Sequence, residues 1–109
     1  MNVVNVATIT LLNGFFSQMR QRAMWHRGEG AMPAKSPWSA INMYEDLERV
    51  IRANGFDPAR TDVFEMIVRN TDSRSRANII RAFRAILDSI SQSLEYEELL
   101  HAERKRQTH

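Results

Sequence analysis

Glu98 and His101 stand three residues apart, the Glu-x-x-His spacing that puts two metal ligands on one face of a helix. Dimetal bundles use that motif twice, with two further Glu residues. Here it occurs once, beside Leu99 and Leu100, with no inward set of four carboxylates, so no metal site and no cofactor are expected. The other histidines, His26 and His109, have no second His near them. The chain has no Cys, which excludes a thiolate nucleophile, a zinc–thiolate site and a disulfide framework and makes the cytoplasm the expected compartment. Neither a nucleophile elbow, a phosphate-cradling glycine loop nor a dinucleotide fingerprint occurs. A hydrolytic triad needs a His held in a cleft, and no His lies in a segment expected to form one. The reading is therefore non-enzymatic, with no catalytic residue assigned.

Recognition chemistry is better represented. Thirteen arginines stand against two lysines, Lys35 and Lys105. Arg keeps its charge and makes forked contacts, so such a surface favours carboxylates, phosphates and aromatic groups. Arg69, Arg74, Arg76, Arg81 and Arg84 accompany a single acid, Asp72, between positions 69 and 87. Asp88, Glu95, Glu97, Glu98 and Glu103 then precede the basic run Arg104-Lys105-Arg106. A positive head and a negative shank oppose the helix dipole. Local stability does not account for that order, which gives weight to intermolecular recognition.

Among the elements that must carry these groups, the segment Ser73 to Arg106 has no Pro or Gly and places Ile80, Phe83, Leu87, Ile90 and Leu94 in 3-4-3-4 spacing. This predicts one helix with an apolar seam. At about 1.5 Å per residue it would be a rod near 50 Å long, against a radius of gyration of about 13 Å for a domain of ~100 residues. A rod of that length overhangs its own globule, so the seam Ile79, Ile80, Phe83, Ile86, Leu87, Ile90 and Leu94 is the expected partner or dimer interface. Arg74, Arg76, Asn78, Arg81 and Arg84 form its rim.

Upstream, Ser36 and Pro37 open a helix that Asn54 and Gly55 close, with Phe56 packing back over its last turn. Ala40, Ile41, Met43, Tyr44, Leu47, Val50 and Ile51 are its expected buried face, and Glu45, Asp46, Glu48, Arg49 and Arg52 its solvated one. Asp57-Pro58, or alternatively Thr61-Asp62, starts the next helix, which runs to about Arg69 with Val63, Phe64, Ile67 and Val68 inward. Asp72 or Ser73 caps the long helix. Residues 27–36, with Gly28, Gly30 and Pro33, read as a linker, flanked by Trp25 and Trp38 packed on the core.

No charged side chain occurs in the first 19 residues, yet polar residues interrupt them too often for a membrane span, and no basic region precedes them as a signal peptide requires. As a helix they place Ile9, Leu12, Phe16, Met19 and Ala23 on one face, with Leu11 and Phe15 beside it. A strand or mobile arm over Val3 to Thr10 is the alternative, and Gly14 weakens the helix by roughly 1 kcal/mol. The expected fold is all-α: one domain, 1–109, with an N-terminal arm or helix (1–26), the linker, and a helical core (37–106) ending in one long amphipathic helix.

Two functions fit these elements. In one, the protein is a regulator that pairs with itself as a homodimer or captures a regulatory protein through the seam. In the other, residues 57–84 are a helix-turn-helix whose Arg74, Arg76 and Asn78 meet base edges in DNA. The second lacks the glycine such turns often use, and its recognition helix runs far past the groove. The layout of arm, linker, two short helices and a long helix, carried by Pro37 to Asn54 and Ser73 to Arg106, resembles the small all-helical bacterial antiactivators of the QslA type, which act in quorum sensing. That resemblance implies sequestration of a LuxR-type transcription regulator through an apolar surface. No membrane partner is expected.

Overall fold

Capping chemistry fixes several helix ends in the computed structural model, which describes residues 6–28, 38–70 and 72–107. All secondary structure among them is helical: α1 (Val6–His26), α2 (Ile41–Ala53), α3 (Val63–Asn70), α4 (Ser73–Ile90) and α5 (Leu94–Gln107). Helix α2 ends as its sequence requires. Gly55 takes the left-handed conformation (φ 87°), its N–H donates to Arg52 O at 2.9 Å, and the Phe56 N–H donates to Ile51 O at 3.1 Å, satisfying two carbonyls that a helix end leaves free. Phe56 packs against the core. Asp72 caps α4, its carboxylate accepting from Ser75 N at 2.9 Å. The α3 start is the later of the two expected ones. Its first turn is capped from another helix, because Asn13 Oδ1 on α1 accepts from Phe64 N at 2.8 Å. Helix α2 starts at Ile41, later than the expected Ser36-Pro37 start, since residues 38–40 are a turn and not α-helix; residues 29–37 lie outside the described residues.

The N-terminal segment takes the helical form of the two expected, and this α1 is the central element, packing on α2, α3 and α5, while α4 packs on α2 and α5. Phe16 of α1 meets Tyr44 of α2 at 5.3 Å, Phe64 of α3 at 5.6 Å and Phe83 of α4 at 6.2 Å between ring centroids; Phe64 and Phe83 meet edge-on at 5.0 Å. Around these rings lie Met19, Ala23, Trp38, Leu47, Ile51, Ile67, Ile79, Ile86, Ile90 and Leu99, all buried. Among the described residues no helix is long and apolar enough to cross a membrane.

The expected single rod is corrected. Residues 73–107 are helical except for a break at 91–93, after which α5 returns to α1. The radius of gyration is 13.7 Å and the longest extent 40 Å, so no rod overhangs the globule. Two causes are visible. Serines at the break offer the backbone alternative partners: Ser91 Oγ donates to Asp88 O at 3.1 Å, and Ser93 donates to Ile90 O through Oγ at 2.7 Å and through N at 2.9 Å. Hydrophobic phase supplies the second cause. Ile90 and Leu99 are nine residues apart, two and a half helical turns, so a straight helix puts them on opposite sides. Breaking it lets one core bury both.

Polar contacts seat α5 on α1. Arg22 Nη2 meets Glu98 Oε2 at 2.6 Å, Gln18 Nε2 donates to Glu103 Oε1 at 2.9 Å, and Arg106 Nη2 pairs with Glu103 Oε2 at 2.7 Å. Glu103 is only 3% exposed, and its carboxylate lies against the backbone of Gly14, where a Cβ would collide with it and with the Arg106 guanidinium. Gly14 is thus the space the buried Glu103 carboxylate needs. Gly14→Ala is expected to cost about 1–2 kcal/mol through that overpacking despite about 1 kcal/mol gained in helix propensity. In a Glu103→Ala background the same substitution should stabilise instead. Urea unfolding of the four proteins checks this; a same-sign effect in both backgrounds refutes it.

Candidate functional site

Burial decides which of the expected interface residues can meet a partner. Ile79, Phe83, Ile86 and Ile90 are buried in the chain's own core, and Ile80 and Leu87 are half-buried against it. The apolar interface expected from the seam is therefore corrected, because α2 and α5 pack on that face of α4. Leu94, 80% exposed, is the one seam residue left outside, and with Val50 at 37% it completes the exposed large hydrophobics among the described residues. They form no apolar patch.

The opposite face of α4 is polar and accessible. Arg74, Asn78 and Arg81 follow one another at i, i+4 and i+7, so they share a strip, with Arg84 beside them and the small residues Ala77 and Ala85 between. Arg81 Nη1 donates to Asn78 Oδ1 at 3.3 Å, which orients both side chains. Arg76 lies off the strip, half-buried, its Nη1 donating to Val68 O at 3.1 Å and tying α4 to α3. At the head of the strip, the backbone N–H and hydroxyl of Ser75 hold the Asp72 carboxyl below the usual carboxylate range.

Charge matching sets this face apart. Elsewhere arginines are paired: Arg20, Arg27 and Arg52 with Glu48, Arg22 with Glu98, Arg49 with Asp46, Arg60 with Asp62, Arg69 with Glu65, Arg106 with Glu103. Among the described residues Arg74, Arg81 and Arg84 have no carboxylate partner; Arg104 near the end of α5 is the other exposed one. Three guanidinium groups without an ion-pair partner thus lie on one exposed face of one helix, with Asp88 at its far end, an arrangement chemically suited to anionic groups.

Glu98 and His101 do not come together as ligands, since Glu98 is engaged by Arg22 and His101 is exposed. Among the described residues no three His, Asp or Glu side chains cluster as a metal site would require.

A second polar cluster lies where a solvated face was expected. Glu48 is 7% exposed, with Arg27 Nη1 at 3.2 Å from Oε2 and Arg20 and Arg52 each at 3.9 Å from Oε1. Its neighbour Tyr44 is fully buried and its hydroxyl has no hydrogen-bond partner; burial, with the Glu48 charge adding, pushes that hydroxyl well above its ordinary value. A signal was present in the sequence: Tyr44, Leu47, Glu48 and Ile51 run i, i+3, i+4, i+7, which places Glu48 inside the apolar stripe. Nearby, the backbone N–H of Trp38 donates to His26 Nε2 at 2.9 Å, anchoring the approach to α2 to the end of α1.

Compared with known proteins, the chain matches no family model, no curated protein and no solved structure.

Proposed function

We propose that this protein is a non-enzymatic regulator that acts by binding another protein, and that its binding surface is the arginine face of α4. The unmatched guanidinium groups of Arg74, Arg81 and Arg84 carry this reading, in a molecule that pairs most of its other helix-borne arginines with carboxylates. The partner is a regulatory protein that presents carboxylates. Capture is by charge rather than through an apolar surface, and antiactivation is the class of regulation it would serve. A second reading, duplex DNA, is favoured by one observation: Arg74, Asn78 and Arg81 line one face just beyond the short turn that follows α3. Against it, α4 packs chiefly on α2 and α3 chiefly on α1, whereas the two helices of a helix-turn-helix brace one another.

The double charge reversal Arg74→Glu plus Arg81→Glu separates the alternatives. Both side chains are exposed, so the melting transition should stay within about 0.5 kcal/mol of wild type. Capture of an acidic partner by in-cell crosslinking, followed by titration of the purified pair, should weaken at least tenfold. An unchanged affinity for that partner would remove this face from the interaction. Duplex binding that the variant abolishes and that falls steeply with salt would transfer the face to DNA.

A further inference from the structure

The break between α4 and α5 has the properties of a hinge, and we propose that the chain forms an exchanged dimer in which α4 and α5 straighten into one helix and α5 docks on α1 of a second copy. No Gly or Pro interrupts residues 73–107, so the backbone itself allows continuity once the serine hydrogen bonds at the break are released. Ser91 already has right-handed helical geometry, φ −60° and ψ −23°. Straightening therefore asks for a change only at the residues that follow it.

Phase determines where α5 would then point. In the straight helix Leu99 lies two and a half turns beyond Ile90, so Leu99, Tyr96 and Glu103 face away from the core that Phe83 and Ile90 fill. They become inaccessible to their own α1 and available to another molecule. The vacated seat on α1 accepts one shape. It has Arg22 for Glu98, Gln18 for Glu103 and the glycine gap at Gly14 for the Glu103 carboxylate, and beside it Ser39, in the turn before α2, donates to Glu95 through its N–H and hydroxyl at 3.0 and 2.9 Å. Only the α5 of an identical chain brings that set of groups in that order. The interactions that α5 gives up with its own α1 are all remade with the α1 of the second copy, leaving the hinge as the difference between monomer and dimer.

Hinge substitutions should therefore move the equilibrium in opposite directions. Ser91→Ala with Ser93→Ala removes the hydroxyls that bond Asp88 O and Ile90 O and raises helix propensity, so self-association should tighten about tenfold or more, whereas Gln92→Gly should weaken it. Light scattering from micromolar to near-millimolar protein reads both. Exchange itself is tested by position. The chain has no native Cys, so an Arg22→Cys chain and a Glu98→Cys chain, mixed through denaturant and treated with a short bis-maleimide, should give a covalent heterodimer. Dimers that yield no crosslink between the two chains would overturn the proposal, as would wild type and the double-alanine variant both remaining monomeric over the whole range. If the double-alanine variant does not fold, wild type against Gln92→Gly carries the same comparison.

Discussion

Phe83→Ala lowers the unfolding free energy by about 3–5 kcal/mol, a large part of the ~5–15 kcal/mol that holds a domain together. The ring is 1% exposed, meets Phe64 at 5.0 Å and Phe16 at 6.2 Å, and so joins α4 to α3 and α1 at once. Truncation removes its transfer free energy and leaves a cavity between three helices, and the opposing rings fill it poorly because each is fixed by another aromatic neighbour. Leu94→Ala is the control. Leu94 belongs to the same 3-4 seam yet is 80% exposed, so its loss should change stability by less than about 0.5 kcal/mol. Urea unfolding followed by far-UV circular dichroism compares the two. An interface role for the seam requires the reverse: a Phe83→Ala monomer as stable as wild type that fails only in association.

The contrast between these two residues shows what periodicity could and could not reveal. Of the residues in the 3-4-3-4 spacing, Phe83 and Ile90 are buried, Ile80 and Leu87 half-buried and Leu94 exposed, and the inner face of α4 runs through Ile79 and Ile86 as well. Periodicity was silent on what covers that face. The seam extends through Leu94 by spacing alone, because the interval from Ile90 is four, but the next apolar residues, Tyr96, Leu99 and Leu100, fall out of phase with it. That phase slip, with three serines between positions 89 and 93, was the available sign of a break. Helix ends were more legible, because a cap acts over three or four residues: Asp72 and Gly55 needed no tertiary information. The cap on α3 did, since its acceptor, Asn13, is 51 residues away.

For the candidate site, the arginine strip could be read from sequence as a charge pattern, and Arg74, Asn78, Arg81 and Arg84 are on the surface. Arg76 could not be told apart from them without knowing that Val68 O lies within its reach. Buried charges were the least visible features. Glu48 and Glu103 are surface residues by type, and each is made tolerable by groups far off in sequence: Arg20 and Arg27 for one, Gln18 and Gly14 for the other. A carboxylate on an apolar stripe signals such a partner, while a glycine in mid-helix signals close approach; neither says who the partner is.

Removing the Glu48 carboxylate should be the most damaging polar change in the molecule. Glu48→Ala takes away the carboxylate that Arg20 and Arg27, 26% and 32% exposed, share, and leaves Arg27 with Glu45 at 3.7 Å as its remaining ion-pair partner. Breaking a fully buried pair from one side costs roughly 3–5 kcal/mol; partial hydration of these arginines puts the expected loss at about 2–3 kcal/mol. Arg52, 59% exposed, turns to solvent and contributes little. Glu48→Gln keeps the shape and an acceptor without the charge, so its loss should be smaller than that of Glu48→Ala. Tyr44→Phe, one helical turn away, should go the other way and stabilise by about 1 kcal/mol, because it deletes a buried hydroxyl that has no partner. Denaturant midpoints at constant m order the three variants. A Glu48→Ala protein as stable as wild type would mean that Arg20 of α1 and Arg27 just beyond it are satisfied by water and Glu45 without it.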